Sequence, residues 1–440
     1  MLAYRAGKPV LASQFLADVT RLGPLLGDGG HVLNVCADRY RFAVGLAAGL
    51  VGGKVSLLPS TRTPAVIAHL KGFAPDAVCL TDEDDSDVEL PLVRFPDDAR
   101  VARPGKASAS MSVPQIDAGQ RAAFVFTSGS TGAPVPHEKT FGRLRGCMRL
   151  ERERLGLTPG ISYAIVATVP PQHMYGFEAS VLLPLSSGNA LCTERPFYPA
   201  DVCAVLAAAP RPRVLVTTPI HLRALLASGL AIPDTDLIVS ATAPLSAQLA
   251  REIERRGATR LLEIYGSTET GSIAVRRTTE SEEWRLFPGV TLEPRAEETW
   301  AHGGHVEQAT RLCDVIEVLG GDRFLLHGRV ADLVNIAGKR SSLGYLNHQL
   351  NSIPGVVDGA FFHGDADTGE ATVTRVGACV VAPGLDAAAI AAELRRRIDP
   401  VFLPRPLLLV PSLPRTSTGK LPEEALRSLA AAEQKSSPAR

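Results

Sequence analysis

Short apolar runs alternate along the first part of the chain with longer segments whose apolar positions recur at helical spacing. Residues 31–36 read as a strand, and Asp38 is placed to cap a helix over 39–50. Residues 54–58 read as the next strand. Thr63-Pro64 then opens a helix with proline where no backbone donor is lost. A third strand falls at 76–80. This rhythm predicts a parallel sheet covered by helices. Residues 82–118, rich in Asp, Pro and Ser, read as an irregular connection.

The alternation resumes with an apolar run at 124–126, then strands at 163–169, 213–217, 237–240 and 261–265, separated by helical segments. Several of these strands end in polar or glycine-containing loops, and open α/β sheets bind ligands outside the carboxyl ends of their strands. From Trp284 the pattern shortens. Residues 311–319 and 323–327, joined by Gly320-Gly321-Asp322, read as part of a small antiparallel sheet. The tail reads as strands at 333–336, 359–363, 375–381 and 407–410 with helices at 343–353 and 386–398. Residues 433–440 read as a disordered end. The expected class is α/β. A large N-terminal domain (1–327) of parallel sheets, helices and a small antiparallel sheet is followed by a small mobile α+β domain (328–440).

Composition narrows the function classes. The chain has 440 residues, 45% apolar and 21% charged, as for a soluble globular protein of more than one domain. Lys+Arg and Asp+Glu both number 46, which argues against nucleic acid as the main partner. The arginine-rich stretch 143–154, with Glu151 and Glu153 interleaved, reads as a solvated helix face. Seven scattered cysteines without a Cys-x-x-Cys pair read as reduced packing residues in a cytoplasmic protein. No signal peptide or membrane span is evident.

The chemistry centres on the residues after the apolar run Phe124-Val125-Phe126, namely Thr127-Ser128-Gly129-Ser130-Thr131-Gly132. Glycines let successive N–H groups converge on one point, and hydroxyls add donors, which suits a polyphosphate. The same residues also make ordinary surface turns. The usual nucleotide P-loop is excluded, because Gly132 is followed by Ala133-Pro134 and no Gly-Lys stands in the frame.

Three further stretches fall in order behind this loop: 265–271 (Tyr265-Gly266-Ser267-Thr268-Glu269-Thr270-Gly271), Gly328 to Asp332 with Gly338-Lys339-Arg340 behind, and Pro414-Arg415-Thr416-Ser417-Thr418-Gly419-Lys420. Together, and with weaker matches at His173-Met174-Tyr175-Gly176 and Thr242-Ala243-Pro244-Leu245, they resemble the adenylate-forming (AMP-binding) superfamily of acyl- and aryl-CoA synthetases and acyl-carrier-protein ligases. The resemblance covers most of the chain.

The resemblance implies a magnesium-dependent ligase. A carboxylate attacks the α-phosphate of ATP, pyrophosphate leaves, and the acyl-adenylate passes its acyl group to a pantetheine thiol of CoA or of a carrier protein. It implies that Thr127 to Gly132 hold the β- and γ-phosphates, that Tyr265 lies against the adenine, that Gly266, Thr242 and Ala243 are among the cofactor-binding residues, that the acyl pocket lies between 173–176 and 241–244, and that Thr268 bonds the α-phosphate. Glu269 would hold Mg²⁺, a hard ion that prefers oxygen ligands. Asp314 would accept the ribose hydroxyls, Arg329 would contact ribose or phosphate, and Asp332 would brace the segment between domains. Lys420 would draw the substrate carboxylate to the α-phosphate. His173 would gate the passage between acyl pocket and thiol tunnel, and the small domain would swing between the two half-reactions.

The chain departs from that pattern in several places. The family's loop usually ends Gly-x-Pro-Lys, but Val135 follows Pro134 here, and Lys139 is the candidate substitute. Leu312-Cys313-Asp314 replaces the usual Thr-Gly-Asp, and Ala331 stands where Asp or Lys is common. Ser341-Ser342-Leu343-Gly344-Tyr345 lacks the glutamate usual after Gly338-Lys339-Arg340. Met174, Tyr175 and Phe177 suggest a flat or apolar acyl group, and no aspartate is placed to pair a substrate ammonium. An aryl acid of the hydroxybenzoate or cinnamate type is the first expectation and a medium-chain fatty acid the second. A catalytically silent relative that binds nucleotide or carrier protein is the reading from a different class. Retention of Glu269, Arg329 and Lys420 argues against it.

Overall fold

Two sheets face each other across the main apolar core of a computed structural model. The model describes residues 1–84, 88–96, 113–128, 134–257, 260–296, 298–329, 333–336, 339–363, 375–416 and 421–436. Among these residues, the first sheet has six strands in the order Leu92–Arg94, Val78–Thr81, His31–Asn34, Val55–Leu58, Arg121–Ser128 and Pro134–Thr140. All neighbours pair parallel except the last two strands, which are antiparallel. Asp38 caps the Arg39–Val51 helix as expected, its carboxylate accepting from the Arg41 N–H at 2.9 Å.

The second sheet has eleven described strands. Its centre is parallel, formed by Ala164–Ala167, Arg213–Thr217, Leu237–Ser240 and Leu261–Ser267. The first three of these are buried throughout, on both faces, and read as largely apolar runs. Beyond them the pairing turns antiparallel through Gly271–Arg276. The Asp314–Gly320 and Arg323–Arg329 hairpin completes that edge.

Arg39 ties the two halves of the core together. It is fully buried. Its guanidinium donates to the carbonyls of Ala167 (2.9 Å) and Val169 (3.1 Å) and to the Ser180 hydroxyl. Burial lowers its pKa to about 10, so it stays charged at neutral pH.

After the Arg323–Arg329 strand the chain builds separate cores. Strand Asp358–His363 alternates: Phe361 packs into one cluster, with Leu346, Ile390 and Leu394, while Ala360 and Phe362 pack into another, with Leu426 and Ala430. Helices Leu343–Asn351 and Ala387–Arg395 cover the first face, and Glu423–Ser436 covers the second. Arg223 of the large unit lies 3.8 Å from Asp358 of this small one.

Several expectations are corrected. A short strand, Leu92–Arg94, lies within the stretch read as irregular, because it adds to the Val78–Thr81 edge. The 314–329 hairpin belongs to the edge of the large sheet, and the small three-stranded antiparallel sheet is Val290–Arg295, Glu298–Gly303 and Val306–Leu312. The end is helical through Ser436, since Leu426 and Ala430 give that helix an apolar stripe to bury. Glu151 is fully buried, so the Phe141–Leu155 helix is not a wholly solvated face. Cys313 is exposed and is not a packing residue, whereas Cys36, Cys79, Cys147, Cys192 and Cys379 are buried. No helix among the described residues is long and apolar enough to cross a membrane.

Candidate active site

The strand Leu261–Ser267 delivers the central motif. It is paired parallel on one side and antiparallel with Gly271–Arg276 on the other, with a register shift between Tyr265 and Gly266. The return is tight. A side chain at Gly266 would sit 2.3 Å from the Gly271 carbonyl oxygen, so glycine is required there. Ser267 and Thr270 close the turn reciprocally: the Ser267 N–H donates to the Thr270 hydroxyl and the Thr270 N–H to the Ser267 hydroxyl, each at 3.2 Å. Thr268 and Glu269 occupy the tip of that turn, both partly exposed.

Tyr265 holds the other end. Its ring packs against Trp284 and Phe324, with centroids 5.6 and 5.7 Å away. Its hydroxyl donates to Asp314 Oδ2 at 2.7 Å. Asp314 is fixed in turn by its place on the edge hairpin, where it is the cross-strand partner of Arg329. The expected ribose acceptor is therefore positioned beside the expected adenine-side tyrosine.

The strand Pro134–Thr140, which returns from the glycine-rich loop, joins the loop to the turn. Val135, His137 and Lys139 are alternate residues opposite Thr127, Val125 and Ala123. His137 Nε2 lies 2.9 Å from the Thr127 hydroxyl and 3.6 Å from Glu269 Oε1. Burial lowers the His137 pKa, with Glu269 opposing the shift and Lys139 adding to it. Lys139 is 3% exposed, and its ammonium donates to the Glu269 main-chain carbonyl at 3.0 Å. Burial lowers its pKa to about 8, against the attraction of Glu178.

Behind the turn lies a small internal cavity lined by Lys139, Arg143, Cys147, Glu178, Thr270 and His305, among others. Glu178 is buried in a π turn spanning Glu178–Leu182. It accepts from the Ser272 N–H (3.2 Å) and hydroxyl (2.9 Å). Both Glu151 carboxylate oxygens are buried without a hydrogen-bond partner among the described residues. Burial, and then the Glu178 charge, raise the Glu151 pKa to about 8.

The expected residues are thus sorted by position. Thr127, Tyr265, Gly266, Thr268, Glu269 and Asp314 come together around one strand end. Gly129, Ser130, Thr131, Gly132, Asp332 and Lys420 lie outside the described residues, and for Ser128 and Arg329 only the backbone is described. His173 is half-buried and precedes the Met174–Phe177 helix. Thr242 is exposed with φ +76°, a left-handed backbone rare for a β-branched residue, and Ala243 beside it is half-buried.

Of the expected acyl-pocket residues, Phe177 is fully buried and meets Phe42 edge-on at 6.5 Å, so it packs the core. Met174 turns to the internal cavity. Tyr175 is half-buried, its hydroxyl on the Val239 carbonyl at 2.9 Å, one strand over from the turn. His137 and Glu178 were not anticipated. Polar residues at alternate positions after Pro134 are the signal for the first. The second has no signal in an apolar segment until its partners are placed.

Known proteins bear on this geometry. Residues 35–297 match the family model described as AMP-binding enzyme. The 4-coumarate–CoA ligase of Rhodobacter capsulatus is 30% identical over 304 residues, 67% of this chain and 73% of that protein. The same-named enzyme of Halorhodospira halophila is 28% identical over 301 residues, again 67% and 73%. ATP-bound MatB from Rhodopseudomonas palustris superposes with a TM-score of 0.80 at 20% identity, over 97% of this chain and 95% of that one. The anthranilate CoA ligase AuaEII in complex with anthranoyl-AMP gives 0.80 at 15% identity, over 99% and 94%. At those identities the structural likeness speaks for the fold. With more than half of its length matched by the family model, the chain belongs to the AMP-binding enzyme family.

Proposed function

We propose that this protein activates an aryl carboxylic acid with ATP and passes the acyl group to the thiol of CoA. The observation that carries the reading is the convergence at one strand end. Thr127 of the phosphate loop and Glu269 of the turn meet through His137, and Asp314 sits on Tyr265 at the base of the same turn. The residues expected on the phosphate side and on the ribose side thus stand near the carboxyl end of one parallel strand, where open α/β sheets bind ligands.

In this reading the substrate carboxylate attacks the α-phosphorus, the bond to the bridging oxygen breaks, and pyrophosphate leaves. The thiolate sulfur then attacks the acyl carbon and AMP leaves. Asp314 orients the ribose, Thr268 bonds the α-phosphate, and the glycine-rich loop with Arg329 offsets phosphate charge. Glu269, whose side chain keeps 41% of its surface open, is the carboxylate that would hold Mg²⁺ and so help neutralise the phosphates. Lys420 arrives from the small unit, the 328–440 domain, which we propose swings between the half-reactions.

The aryl preference rests on Tyr175 and on the similarity to 4-coumarate–CoA ligases. A carrier-protein pantetheine is the alternative acceptor. Carboxylate-dependent ATP–pyrophosphate exchange, run over a panel of aryl and aliphatic acids, tests the first half-reaction. CoA-dependent thioester formation tests the second.

A further inference from the structure

We propose that Lys139 is a positioning residue for the Thr268–Glu269 turn, acting from behind through the Glu269 carbonyl and balanced by the buried Glu178 carboxylate. The proposal rests on the adenylating reading above.

A lysine this deeply buried needs an opposing charge and hydrogen-bond acceptors. Lys139 has both. Its ammonium donates to the Glu269 carbonyl at 3.0 Å, and Glu178 faces it across the cavity. Glu178 in turn holds the far side of the turn through the Ser272 N–H and hydroxyl at 3.2 and 2.9 Å. The turn is therefore held at residue 269 by the Lys139 ammonium and at residue 272 by the Glu178 carboxyl, two groups that line one cavity. Gly271 makes the approach possible: a side chain there would meet Glu178 Oε1 at 2.7 Å, and its φ of +74° disfavours any other residue.

The register explains the displaced cation. Val135 stands opposite Thr127, level with the phosphate loop, whereas Lys139 is four residues further, opposite Ala123 and away from the loop. At 139 its ammonium is turned inward and engaged with main chain. Lys139 thus substitutes for a phosphate-binding lysine by fixing the turn that carries Thr268 and Glu269, without touching the nucleotide. Its charge is felt by Glu178, Arg143, Cys147 and Glu269, and also by His137 and His305.

The test is ATP–pyrophosphate exchange with a saturating aryl acid, on wild type, Lys139→Met, Lys139→Arg, Glu178→Gln and the Lys139→Met/Glu178→Gln pair. Misplacing a reacting group by an ångström costs on the order of 10²-fold, so Lys139→Met should lower kcat on that scale. The KM for ATP should move less than about threefold, because no ground-state phosphate contact is lost. The double variant should be no worse than Lys139→Met, as expected of groups acting as a unit. Lys139→Arg, which keeps a cation behind the turn, should retain most of the kcat that Lys139→Met loses. A raised KM for ATP at unchanged kcat, or unchanged kinetics, overturns the proposal. Should Lys139→Met fail to fold, Lys139→Arg and Glu178→Gln answer instead, and a raised KM for ATP at unchanged kcat in either overturns the proposal equally. Absence of exchange in wild type with every acid would instead remove the adenylating reading, and the proposal with it.

Discussion

Arg415 donates two hydrogen bonds, of 2.7 and 2.8 Å, to the carboxylate of Asp358. Arg415 stands in the stretch that leads to Lys420, and Asp358 opens an edge strand of the small unit's three-stranded sheet. Arg223 of the large unit lies 3.8 Å from the same carboxylate. One half-buried acid therefore ties the expected lysine-bearing segment to the small unit's sheet and faces the large unit as well.

Asp358→Asn should leave the Arg415 charge uncompensated and destabilise the protein by about 3 kcal/mol, the scale for breaking a buried pair. Arg223→Ala should cost about 1 kcal/mol or less, since it removes only a longer contact. Chemical denaturation of the two variants measures both. Equal losses would mean that the link between the units carries as much as the link within the small one.

Tyr265→Phe removes a hydroxyl that orients Asp314 but leaves the ring on Trp284 and Phe324. A single lost hydrogen bond of about 1 kcal/mol corresponds to a roughly fivefold rise in KM for ATP. Asp314→Asn, which removes the ribose acceptor's charge, should raise it further. The KM for ATP in the exchange assay, at fixed acid, checks the order of the two.

Glu151 carries a pH signature. Its folded pKa, about 8, is raised above the ordinary carboxylate value, so the folded chain binds this proton more tightly than the unfolded one. The stability it contributes is fully present below the ordinary carboxylate value and is lost as pH rises toward 8 and beyond. The slope contributed by one such proton is about 1.4 kcal/mol per pH unit. Glu151→Gln should flatten that fall, so that the variant gains on wild type between pH 5 and 8 (roughly the span between the two pKa values). Denaturation curves across that range are the check.

Much of the architecture was legible because the parallel strands are apolar on both faces and end in glycine or hydroxyl residues. The 213–217 and 237–240 runs have no polar residue in their interior, and 261–265 has only Glu263. The missed features depend on partners distant in sequence. Nothing local marks Glu151 as buried within an arginine-rich helix, and its neighbour Glu178 comes from another segment. The Gly271–Arg276 return strand went unread because glycines and hydroxyls at 266–271 resemble a loop, while their tertiary role is a tight antiparallel turn. Phe177 looked like a pocket residue by its nearness to Tyr175, but residues two apart on a helix do not share a face. In the site itself, residue types were legible from motif order, while the substitution of cation positions on the 134–140 strand needed the register to interpret.

The most direct test of the central reading is carboxylate-dependent ATP–pyrophosphate exchange by the purified protein, comparing a hydroxycinnamate, a hydroxybenzoate and a medium-chain fatty acid. The account predicts exchange that requires Mg²⁺ and added acid, is fastest with an aryl acid, and is abolished by Glu269→Ala. Exchange with no acid in the panel, or ATP hydrolysis to ADP that ignores added carboxylate, would contradict it.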